Sequence, residues 1–147
     1  MLPIESTITD ERDAESIYGM YDTIDTIKRV VSDRKDIKLF NLSFGPKEPI
    51  LDDNISRFTY ALDRLTYLED EEEINPSFCL AVGNDGGKGE FLDRVHAPSD
   101  MVNGLAVGAY TYNLLNDKVR TEYSCVGPGR EGAKTKPDIT WLHGLLL

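Results

Sequence analysis

The chain has 147 residues, and 16 basic against 26 acidic side chains give a formal net charge of −10. One domain of about 100–200 residues fits that length, and the acidic balance argues against nucleic acid and anionic membrane surfaces as partners. Two cysteines, Cys79 and Cys125, are too few for a disulfide scaffold and are expected as free thiols. The start, Met1-Leu2-Pro3-Ile4-Glu5, has neither a basic nor an apolar leader pattern. No apolar run reaches the roughly 18 residues of a membrane span, so the chain as given is expected to be cytoplasmic.

Residues 1–9 read as an irregular lead-in. Ile17, Met20, Tyr21, Ile24, Ile27 and Val31 recur at steps of three and four, which predicts an amphipathic helix over residues 10–35. Acidic residues gather at its start and basic ones near its end, as the helix dipole favours. Residues 37–44 read as a strand stopped by Gly45-Pro46. A second helix is expected over residues 52–69, with Ile55, Phe58, Ala61, Leu62, Leu65 and Leu68 buried. The acidic run 69–73 after it reads as solvated surface.

Phe78-Cys79-Leu80-Ala81-Val82 is a continuous apolar run that stops at Gly83-Asn84-Asp85-Gly86-Gly87. It reads as a buried strand entering a glycine-rich turn. A further strand spans residues 104–110, a turn residues 113–117, and a returning strand residues 119–124. From Gly127 onward the chain reads mostly as loop. This order implies an α/β fold of three layers, a mostly parallel sheet flanked by helices, with a small antiparallel addition.

Common site motifs fail on inspection. Gly127-Pro128-Gly129-Arg130-Glu131-Gly132 matches G-x-G-x-x-G, but Pro137 forbids the helix that should follow. The turn at Gly83–Lys88 lacks the first Gly and the Ser or Thr of a phosphate loop. His96 and His143 are the only histidines and form no usual metal spacing with the cysteines. No metal and no cofactor is therefore expected. Asn84 by itself has two readings, a turn former or a polar group presented for chemistry.

Four segments in order resemble the subtilisin-like serine peptidases. They are Lys38–Gly45, similar to a strand ending in N-x-S-x-G; Leu80–Gly86, similar to A-A-G-N-x-G; Ala97-Pro98-Ser99 followed by Leu105–Ala109; and Tyr123–Gly129 with Lys136-Pro137-Asp138-Ile139. The resemblance covers about residues 18–139 and implies a partial subtilisin-like fold.

It also implies that Asn84 is the oxyanion-hole amide of a peptide hydrolase. Ser43, Phe44 and Gly45 would form one substrate-binding wall, and Ala81, Val82 and Gly83 the other. The family's three triad motifs are not found. There is no Gly-Thr-Ser, Asp22-Thr23 and Asp25-Thr26 are followed by Ile, and His143-Gly144-Leu145 comes after Asn84 and out of order.

The expectation is a single-domain piece, residues 1–147, of a larger catalytic domain that does not turn over alone. Its partners would be a peptide substrate and the missing flanks of its own protein, and open sheet edges could lead to self-association. The alternative is a non-catalytic α/β interaction module, with the apolar end from Trp141 as a docking segment.

Overall fold

The computed structural model describes residues 14–46, 49–67, 75–89, 91–130 and 135–143, with side chains described from residue 19 onward. The first helix, α1 (Ala14–Asp33), buries Ile24 and Ile27, with Met20, Val30 and Val31 partly buried beside them. That is the stripe its spacing predicts. It stops before the expected Lys35. Arg34 caps the Val30 carbonyl with its N–H at 2.9 Å and forks onto Asp36 at 2.8 and 2.7 Å. Residues 10–13 of the expected helix lie outside the described residues.

The second helix, α2 (Arg57–Leu65), starts five residues later than expected. Asp52 explains the delay, because its carboxylate accepts the Asn54 N–H and the Asn54 side-chain amide, each at 2.8 Å. This local turn competes with helix. Ser56 then caps α2 by accepting the Thr59 N–H at 2.9 Å. Ile55 falls before the helix and is 39% exposed, which corrects its expected place in the buried face. Leu68 and the acidic run 69–73 lie outside the described residues.

Among the described residues five strands form one sheet: β1 (Leu39–Leu42), β2 (Ser77–Ala81), β3 (Leu105–Tyr112), β4 (Lys118–Arg120) and β5 (Ile139–Leu142). The first three pair in parallel, with Leu42 opposite Leu80 and Ala81 opposite Val107. β4 runs antiparallel to β3, as the sequence predicts, and β5 runs parallel to it. β5 replaces the loop expected for the tail.

Carbonyls of alternate residues face opposite edges of a strand. Val107 and Ala109 accept from Val82 and Thr121, whereas Ala106 and Tyr110 accept from Asp138 and His143. So β2 and the start of the 121–125 turn share one edge of β3 in succession, and β5 holds the other.

Phe40, Leu42, Phe78 and Leu80 meet Ile24, Ile27, Phe58 and Leu62 in one core. Both helices thus cover the same sheet face, so among the described residues the fold has two layers and not the expected three, because α1 and α2 pack side by side on one core. Leu62 is fully buried, and Leu62→Ala is expected to cost about 2–5 kcal/mol. A second cluster, Ile50, Val82, Val95, Ala106 and Cys125, extends this core under the loops at the strand ends. On the opposite face Leu39, Asn41 and Ala81 are exposed. No described helix is long and apolar enough to cross a membrane.

Candidate active site

The C-terminal end of β2 and the middle of β3 carry the features singled out from the sequence. β2 stops at Ala81, and the chain turns at Gly83, whose φ of +107° suits glycine and few others. Asn84 follows and is exposed. The turn is fixed by main-chain bonds. The Val82 carbonyl accepts from His96 N–H at 3.0 Å, the Gly83 carbonyl from Cys125 N–H at 3.3 Å, and Gly86 N–H donates to Tyr123 at 2.8 Å.

A cleft of about 270 Å³ opens here, on the helix-free sheet face. Ala81 and Val107 are paired, as are Ala109 and Trp141, so these four side chains share that face. Three of them are small, which keeps the floor low. Trp141, 72% exposed, stands above it. Asn84, Ser124, Tyr123 and His143 add the polar lining.

The two expected walls sit differently. Ala81, Val82 and Gly83 line the cleft. The Val82 side chain is buried, and both its main-chain groups are engaged, N–H with Val107 at 3.3 Å and carbonyl with His96. Ser43, Phe44 and Gly45 lie on the β1 side of β2, away from this cleft. Gly45 presses on Ala97 and Pro98 so closely that a Cβ there would overlap the Ala97 carbonyl. Phe44 leans onto Phe58, ring centroids 6.4 Å apart. The segment 96–98 therefore runs between the two walls, bonded to Val82 and touching Gly45.

His96 is a loop residue, as expected, but a buried one. Its Nε2 lies 3.6 Å from Asp85 Oδ2, and Lys88 holds the other Asp85 oxygen at 2.8 Å. Burial pushes the His96 imidazole below its ordinary range; Asp85 opposes this and Lys88 adds to it. Burial also pushes the Cys125 thiol up, against the N–H that it accepts from Asp85 at 3.3 Å. Cys79 and Cys125 are both free thiols. His143 stacks edge-on against Tyr123 with centroids 5.2 Å apart. Among the described residues no group of three His, Cys, Asp or Glu is arranged to hold a metal ion.

The comparison with known families bears on the same stretch. Residues 9–142 match the Peptidase_S8 model, described as the Subtilase family. The chain belongs to the subtilase family. No curated protein and no solved structure matches it significantly. The subtilase match spans every described strand and both helices, so the mixed five-stranded α/β sheet is a partial subtilisin-like fold. It also places the chain among serine peptidases, a class of hydrolases.

Sequence reasoning missed three supports of the turn that carries Asn84. Cys125 and His96 flank Gly83, and Arg120 Nη1 donates to the carbonyls of Thr121, Glu122 and Ser124 behind Gly86. The Arg120 bonds also end β4 at residue 120, short of the expected 124. A cysteine in a turn or an arginine at a strand end carries no local pattern that could have announced these roles.

Proposed function

We propose that this chain is the central part of a subtilisin-like serine endopeptidase and that Asn84 is its oxyanion-hole donor. Acyl transfer passes through a tetrahedral intermediate with a negative oxygen, and a fixed amide aimed at that oxygen lowers the barrier. The observation that carries this reading is the position of Asn84. It is exposed at the rim of the cleft, on a turn whose backbone is bonded on both sides. An uncharged NH₂ group held in that way needs little reorganisation when charge develops.

Ala81, Val82 and Gly83 at the cleft, and Ser43, Phe44 and Gly45 across segment 96–98 from it, would bind separate parts of an extended peptide. Strand edges recognise such a substrate through main-chain hydrogen bonds. Val82 contributes position only, because its main-chain groups are already engaged. The low apolar floor beside Trp141 suits an uncharged substrate side chain.

The nucleophile, base and orienting acid would come from segments that flank this one in the parent protein. The chain alone, without the family's Gly-Thr-Ser or its Asp and His motifs, does not turn over in this reading. A fluorogenic peptide assay on the purified chain tests that point, and the expected result is no hydrolysis. Hydrolysis abolished by Asn84→Ala would overturn the claim of inactivity. Reading the gene on both sides of this segment tests the rest. A downstream Gly-Thr-Ser with upstream Asp and His motifs is expected, and a frame without them would favour an interaction module.

A further inference from the structure

Behind Asn84 lies a buried imidazole with a nitrogen that makes no hydrogen bond. The His96 side chain is only 8% exposed, and its Nε2 makes no hydrogen bond. Its nearest opposite charge, Asp85 Oδ2, is 3.6 Å away, beyond good hydrogen-bond reach. Buried polar atoms are nearly always satisfied, so this orphan asks for a reason.

The reason offered by the geometry is the other edge of the ring, Cγ and Nδ1, which packs against Gly83. A Cβ built on Gly83 would lie 3.0 Å from the Cys125 sulfur and 3.0 Å from the His96 ring. The thiol and the imidazole therefore both crowd Gly83 where a Cβ would stand, just before Asn84. Cys125 also bonds on both sides of Asn84. Its N–H donates to the Gly83 carbonyl, and its sulfur accepts the Asp85 N–H, both at 3.3 Å. One residue thus fixes the groups before and after Asn84, which sets the direction of the Asn84 side chain.

We propose that Cys125 and His96 act as a clamp that orients Asn84, with Cys125 as the positioning residue and the His96 ring as the opposing jaw. The ring serves by its shape, held close to Gly83 by the His96 N–H bond to Val82. A free cysteine in a core usually packs as a small hydrophobe. Here the sulfur also accepts the Asp85 N–H, which a side chain that only packed would not do. The consequence for catalysis rests on the proposed role of Asn84; the clamp itself does not.

Nuclear magnetic resonance on the ¹⁵N-labelled full chain tests the clamp. In Cys125→Ala, hydrogen exchange at the Asp85 amide should speed up by roughly five- to ten-fold relative to the Ala106 amide, as loss of about one net hydrogen bond implies. The Asn84 side-chain NH₂ signals should move with it. Cys125→Ser retains an acceptor and should fall between wild type and Cys125→Ala; it carries the test if the alanine variant does not fold. Ile50→Val loosens the same core cluster without touching the turn, so its Asp85 and Ala106 amides should change together. Unchanged Asp85 exchange and Asn84 signals in the cysteine variants would overturn the proposal. So would an Ile50→Val variant that reproduces their pattern. If the oxyanion reading alone is wrong, these signals still respond and the fault appears in the kinetics of the intact peptidase.

Discussion

Lys136 donates to Asp138 Oδ2 across 2.6 Å, with its own side chain withdrawn from water. The same carboxylate oxygen accepts the Ala106 N–H at 2.7 Å, while the Lys136 ammonium also reaches the Gly104 carbonyl at 3.3 Å. This pair ties the tail to the start of β3 and launches β5. Removing one partner of a buried pair is costly, because the other charge stays behind. Asp138 retains some contact with water, so Lys136→Met is expected to cost about 2–3 kcal/mol, below the figure for a fully buried pair. Urea unfolding of the variant measures it, and a change under about 0.5 kcal/mol would show that the pair does not anchor the strand.

Gly45 offers a second test. A methyl group there meets the Ala97 carbonyl and the Pro98 ring, so either the proposed substrate wall or segment 96–98 must shift. Gly45→Ala is expected to destabilise by about 1–3 kcal/mol, the range for overpacking. The shift should reach His96 and Val82 through their hydrogen bond, visible as amide chemical-shift changes at both. Gly89→Ala is the control, since its Cβ would meet nothing within 4 Å although its φ is +88°. It should be milder and leave His96 and Val82 in place.

Stability should fall on acidification. The His96 imidazole sits below its unfolded value, so the unfolded chain takes up a proton before the native one does. Stability rises with pH wherever the unfolded state binds more protons. The His96 contribution is therefore fully present above the unfolded value of about 6.5 and is lost as pH falls through the lower native value. Asp36, held down by Arg34, acts in a separate window below 3.8. Thermal melts between pH 7.5 and 5 should show a falling Tm for the wild type. His96→Gln, which cannot titrate, should flatten that slope. Equal slopes for both proteins would assign the pH effect elsewhere.

The parts legible in the sequence were those with periodicity. Ile24 and Ile27 marked the buried face of α1, and Phe78 and Leu80 the covered face of β2, whose other face, read as buried, is open. The position of Asn84 at a strand end followed from an apolar run meeting glycine. What was not legible depends on contacts distant in sequence. Ile139-Thr140-Trp141-Leu142 has strand-forming residues, but only the Lys136–Asp138 anchor and the free edge of β3 make it a strand. The late start of α2 was written in Asp52 and Ser56, whose side chains outcompete the apolar pattern. Cys125 could not be read as a support for the Asn84 turn, because about 40 residues separate it from the N–H it accepts.

The central claim concerns Asn84, and steady-state kinetics of Asn84→Ala in the intact peptidase test it most directly. In subtilisin itself, loss of one oxyanion-hole donor costs about 2.7–4 kcal/mol, and that figure belongs to subtilisin. The expected result here is a kcat lower by on the order of 10²–10³-fold with KM nearly unchanged, the pattern of an interaction made only in the transition state. An unchanged kcat, or a loss carried entirely by KM, would contradict the oxyanion role.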